Sequence, residues 1–192
     1  MKLILLALLF CCTITLASKS AAVEGDSSGT VVMETSLGEI EIELFSEQAP
    51  LTVENFRRYV ADGFYDGLIF HRVIPGFVIQ GGGMESDMEQ RPNRAPIKNE
   101  ADNGLKNLRG TLSMARTGVV DSATSQFFIN LADNPALDHR GKNPPAYGYA
   151  VFGRVAKGME VVDSIAAKPT TSKGFHQDVP AEEILIIRAF NK

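Results

Sequence analysis

Glu39-Ile40-Glu41-Ile42-Glu43-Leu44 alternates carboxylate and aliphatic side chains without a break, and this run constrains the fold more than any other stretch. Residues two apart share a face of an extended strand, so Ile40, Ile42 and Leu44 line one side and the glutamates the other. Val31-Val32-Met33-Glu34-Thr35 precedes it across Ser36-Leu37-Gly38, and the pair reads as a hairpin with one wet face.

The rest of the chain continues in the same vein. Phe70-His71-Arg72-Val73-Ile74 and Phe77-Val78-Ile79-Gln80 flank Pro75-Gly76, which predicts two short strands joined by a turn, with Gly81-Gly82-Gly83 as a flexible exit. Alternation puts Arg72 on one face with Phe70 and Ile74, and His71 on the other. Strands resume at 110–116, 125–130 and 149–155, and the apolar run 183–190 reads as a buried strand. Within 125–130, Gln126 and Phe128 share one face while Phe127 and Ile129 share the other. Pro50 opens a helix with Val53, Phe56 and Val60 at helical spacing and Gly63 at its C-terminal cap. A second short helix over 158–166 carries Met159, Val162 and Ile165 on its apolar side. Two polar passages, 84–109 and 132–148, break the pattern, and a loop as long as the first is either functional or poorly ordered. Seven or eight strands with two helices predict a mainly β fold, an antiparallel barrel whose ends the helices close.

Met1-Lys2 is followed by an apolar run from Leu3 to Leu16 and then by Ala17, Ser18, Ala21 and Ala22, the pattern of a secretory signal peptide. The run falls short of the roughly 20 apolar residues of a membrane span. The expected organisation is a signal over 1–17, with cleavage as late as 22, a flexible lead-in over 18–29 and one domain over 30–192. Cys11 and Cys12 are the only cysteines, so the mature chain has no disulfide and no thiol, which suits an oxidising compartment. Without an Asn-x-Ser/Thr sequon, a bacterial periplasm is favoured, with secretion or an endoplasmic-reticulum lumen as the alternative. A net charge of −4 and a pI near 5.4 argue against a general nucleic-acid or anionic-membrane binder.

Several chemistries find no support in the sequence. Gly81-Gly82-Gly83 lacks the lysine and serine or threonine of a phosphate loop. His71, His139 and His176 are scattered without cysteine partners, so no metal is expected, and there is no Gly-x-Ser-x-Gly elbow of a hydrolase. The odd feature is Arg72 among bulky hydrophobes, because a guanidinium keeps its charge and five donors wherever it is placed.

Phe70-His71-Arg72-Val73-Ile74-Pro75-Gly76-Phe77 with Gln80-Gly81-Gly82, then Leu112-Ser113-Met114-Ala115, Ser125-Gln126-Phe127-Phe128-Ile129 and Val151-Phe152-Gly153 resemble the cyclophilin-type peptidyl-prolyl cis-trans isomerases. The resemblance runs from about Val31 to Phe190 and looks most like the periplasmic bacterial branch. It implies an eight-stranded barrel with a peptide groove on its outer face, acting without cofactor or metal on proline-containing peptides and unfolded exported proteins; nothing in the sequence suggests more than a monomer. By this resemblance Arg72 is the catalytic residue. Phe77, Met114, Phe128 and Leu137 form the pocket for the proline ring, and Gln80, Ala115 and Gln126 hold the substrate main chain. His71 lies beside the groove, more structural than catalytic.

The chain departs from the commonest eukaryotic pattern at three places. Arg116 stands where an asparagine is usual, Ala136 where the groove tryptophan is, and Tyr149 where the groove histidine is, offering a hydroxyl and a ring edge instead. Losing the tryptophan implies weak cyclosporin binding. Two rival readings use the same chain differently: a binding module that employs the groove without turnover, and an envelope interaction protein working through the 84–109 loop.

Overall fold

The computed structural model describes residues 29–192; the expected signal peptide and nearly all of the lead-in lie outside these. Ten strands and two α-helices follow in the order β1 (Thr30–Thr35), β2 (Gly38–Leu44), α1 (Pro50–Ala61), β3 (Ile69–Ile74), β4 (Val78–Met84), β5 (Thr111–Met114), β6 (Phe127–Asn130), β7 (Val151–Lys157), α2 (Met159–Ala166), β8 (Thr170–Lys173), β9 (His176–Pro180) and β10 (Ile186–Asn191). Eight of the strands make one antiparallel sheet in the order β10-β1-β2-β7-β5-β6-β4-β3. The sheet curls until its outer strands meet, through an Ile69 to Leu185 bridge and a Phe70 N–H donating to the Ile184 carbonyl at 2.9 Å. The mainly β, eight-stranded antiparallel architecture with two helices is the one expected.

Its interior follows from the period of the strands. Ile40 and Ile42 are fully buried and Leu44 nearly so, while the alternating glutamates face outward, where Glu41 pairs with Lys157 and Lys192, and Glu43 with Arg154. Met33, Ile79, Leu112, Phe127, Ile129 and Phe152 join the same core. Helix α1 adds Phe56, whose ring meets Phe127 edge-on at 5.7 Å and Phe152 at 5.1 Å; burying such a side chain contributes about 2 to 3 kcal/mol. Pro50 begins α1 and Gly63, at φ +64, follows its end. Helix α2 buries Val162 and Ile165. Its preceding glycine, Gly158, is obligatory: φ is +89, and a Cβ there would lie 2.3 Å from the Glu39 carbonyl oxygen.

Three expectations change. Strand β10 is half buried, with Ile187 54% exposed, because only one of its faces meets the core. The β8–β9 hairpin forms a separate sheet that its polar residues did not announce. The 84–109 passage is not poorly ordered but bonded into the domain. Ala49 provides no side-chain cap for α1, and the Glu100 carboxylate takes its place, accepting from Leu51 N–H at 3.1 Å, Thr52 N–H at 2.8 Å and the Thr52 hydroxyl at 2.7 Å. Asn99 donates to the Val120 and Gly148 carbonyls and Asn103 to that of Val151, so side-chain amides do for this segment what strand pairing does elsewhere.

Candidate active site

The outer face of the sheet, across β3, β4 and β6, carries the residues singled out above. Pro75 and Gly76 turn the chain between β3 and β4, with Gly76 at φ +73 and Phe77 N–H returning to the Ile74 carbonyl at 3.0 Å, the pattern of a type II turn. Phe77 is then held from the other side: its carbonyl accepts from Leu131 N–H at 2.9 Å and from the Asn134 amide at 3.0 Å.

Strand β3 does not alternate as a plain strand would. Phe70 pairs with Gly81 and Arg72 with Gln80, leaving His71 as an extra residue, a bulge. The inserted residue reverses the facing. Phe70 points inward, 1% exposed and edge-on to Phe127 at 6.2 Å, while Arg72 points outward. The expectation that Arg72 shares a face with Phe70 is therefore corrected; alternation fails where pairing gains a residue.

Beyond the bulge the register is regular. Arg72 stands opposite Gln80, and Gln80 opposite Phe128, so three neighbouring strands present arginine, amide and aromatic ring in one row. Gln80 donates through Nε2 to Gln126 Oε1 at 2.9 Å. Gly83 leaves the space for Gln126, because a Cβ on it would lie 2.4 Å from Gln126 Cγ. Tyr149 meets Phe128 edge-on at 5.6 Å and is tied to Leu137 by its N–H, 3.0 Å from that carbonyl. The row opens on a cleft of about 170 Å³ lined by Arg72, Phe77, Val78, Gln80, Ala115, Arg116, Phe128, Leu137 and Tyr149. A second cavity of about 280 Å³ shares Gln80, Ala115 and Arg116 with it and includes Gln126, Asn93 and Thr124.

Arg72, Phe77, Gln80, Ala115, Phe128, Leu137 and Tyr149 thus meet at one cleft, and Gln126 lines its neighbour. Two expected residues line neither. Met114 is 2% exposed in the core; it pairs with Phe127, not Phe128, and so takes the inward face. His71 is 5% exposed, and its Nδ1 has no hydrogen-bond partner among the described residues. Burial, with the nearby charges of His176 and Arg72, lowers its pKa to about 4, so the ring is neutral near pH 7.

Val78 and Arg116 were not anticipated as lining residues. Val78 was legible, standing two residues before Gln80 on the same strand face. Arg116 was not, since its place depends on distant carbonyls. Its guanidinium donates to Gly148, Thr117 and Pro144 at 2.9 Å each, and stacks 4.9 Å from the Tyr149 ring centre. Among the described residues no three His, Cys, Asp or Glu side chains gather as metal ligands would.

Residues 30–190 match the family described as cyclophilin type peptidyl-prolyl cis-trans isomerase. The chain is 55% identical over 173 residues to peptidyl-prolyl cis-trans isomerase A of Dickeya dadantii, covering 90% of each. It is 53% identical over 156 residues to isomerase B of Escherichia coli, covering 81% of this chain and 95% of that one. Among solved structures, a cyclophilin-type isomerase of Cryptosporidium parvum, crystallised in the presence of the dipeptide Ala-Pro, superposes with a TM-score of 0.69 at 29% identity, covering 84% of this chain and 97% of that one.

Proposed function

The chain belongs to the cyclophilin-type peptidyl-prolyl cis-trans isomerases and speeds rotation about X–Pro peptide bonds, and from that premise we propose that Arg72 is its catalytic group. Phe77, Val78, Phe128, Leu137 and Tyr149 receive the proline ring, and Gln80, Ala115 and Gln126 hold the substrate main chain.

The chemistry asks little in the way of reactive groups. An X–Pro bond isomerises slowly because twisting it loses amide resonance, against a barrier of ~18–20 kcal/mol. No covalent bond breaks, so no nucleophile or proton carrier is required, and the neutral His71 has no such task. In the twisted state the prolyl nitrogen becomes pyramidal and gains a lone pair, which a guanidinium N–H binds better than it binds the planar amide. That is selective binding of the transition state by a donor already in place. Lowering the barrier by ~7 kcal/mol corresponds to roughly a 10⁵-fold acceleration.

The observation that carries the assignment is the register: Arg72, Gln80 and Phe128 stand side by side over the cleft, a charged donor next to an amide next to an apolar surface. In a cis-to-trans assay on a proline tetrapeptide, Arg72→Ala is expected to cut kcat/KM by about 10²- to 10³-fold, as loss of one preorganised donor does; a wild-type rate would overturn the assignment. The physiological substrates in this reading are exported, flexible or unfolded chains whose folding waits on proline, in keeping with the apolar run from Leu3 to Leu16 behind Lys2. Recovery of the full-length chain in the cytoplasmic fraction of its host, with none in the periplasm, would refute the export.

A further inference from the structure

The β8–β9 hairpin takes no part in the barrel, yet it lies against β3 and brings one carboxylate to the edge of the cleft. Asp178 of β9 places Oδ2 3.8 Å from Arg72 Nε. That is beyond direct hydrogen bonding and within ion-pair range. Among the described residues it is the one carboxylate so close to Arg72, and Arg72 is its one ion-pair partner. Asp178 also holds a left-handed backbone, φ +58, which most side chains avoid and which Asp, Asn and Gly accept.

The two side chains are 40% and 43% exposed, and a pair so accessible adds little to fold stability. Its geometry has a clearer use. The carboxylate stands nearest the Nε edge of the guanidinium and leaves the two terminal nitrogens, with four N–H groups, for whatever lies over Gln80 and Phe128. An arginine side chain left to itself samples many rotamers and must be ordered during catalysis. We propose that Asp178 is a positioning residue for isomerisation, anchoring Arg72 by its Nε edge so that the terminal N–H groups are aimed before the substrate arrives. This rests on Arg72 being the catalytic donor.

The test uses Asp178→Asn and Asp178→Gly, both compatible with the left-handed backbone. Each is made in the wild-type and Arg72→Ala backgrounds and assayed on the proline tetrapeptide, with arginine Nε–H signals followed by ¹⁵N NMR. Both variants should lose roughly 3- to 10-fold in kcat, within the range of coupling between contacting residues, with KM little changed. The Arg72 Nε signal should move or broaden, and neither substitution should matter once Arg72 is alanine. Full kcat in both variants, or the same fractional loss in the Arg72→Ala background, overturns the proposal while leaving Arg72 as the donor. A wild-type rate in Arg72→Ala alone overturns both assignments.

Discussion

Lowering the pH from 7 to 4 should destabilise this protein through His71. The ring is buried at 5% exposure, and its pKa falls from the usual 6.5 to about 4, chiefly because burial disfavours the charged form. Above pH 6.5 the ring is neutral folded or unfolded and contributes no pH dependence. As pH falls through 6.5 the unfolded chain takes up a proton that the folded chain refuses until about pH 4, so stability declines across that window and levels off below it. Each pH unit inside the window costs at most 1.36 kcal/mol, and the whole about 3 kcal/mol, a large share of the ~5–15 kcal/mol that holds a domain folded. The perturbation is His71→Gln, which cannot titrate. The assay is urea unfolding of both proteins at half-unit steps from pH 7.5 to 4. Glutamine has its own cost at neutral pH, but carboxylate titrations are common to both proteins, so the difference between the two curves isolates the histidine. Wild type should lose about 3 kcal/mol more than the variant between pH 7 and 4. Parallel curves would refute the reasoning.

Two further substitutions probe how the groove and its supports are held. Glu100→Ala removes the acceptor for the first turn of α1 and should destabilise the fold by about 1 to 2 kcal/mol, the worth of a helix cap, read as a lower urea midpoint; an unchanged midpoint would show that water caps the helix equally well. For the reading in which the 84–109 loop captures partners, the informative change is its deletion, which should unfold the protein and not merely abolish partner capture, because the segment caps α1 and bonds to β7. Gly83→Ala drives a methyl into Gln126 and should raise KM for the tetrapeptide several-fold while thermal unfolding shifts little, because the atoms it meets belong to a half-buried side chain lining a cavity and not to backbone. An unaltered KM would remove Gln126 from substrate binding.

What was legible in the sequence was whatever depends on the chain's own period. Alternation alone puts Ile40, Ile42 and Leu44 on one face and their glutamates on the other, and Phe127 and Phe128 on opposite faces. Each follows from one strand's pleat and holds wherever that strand pairs regularly. Pro50 and Gly63 bracketed α1 for equally local reasons, a preset φ at its start and a positive φ after its end. The residues that make the cleft were recognisable through their resemblance to a family, and most of them meet at one place.

The tertiary structure decided what depends on a neighbour. Phe70 turned inward and Arg72 outward because β4 pairs around His71 and leaves it bulged. Met114 left the pocket because β6 sets Phe127 opposite it. Glu100 caps a helix 48 residues away from it in sequence, Arg116 enters the groove on distant carbonyls, and Asp178 reaches Arg72 from a hairpin with no apolar pattern to mark it. A strand's period is written in consecutive residues. A bulge, a long-range cap or an ion pair exists only once two segments have met, and the free energy that selects it belongs to the pair.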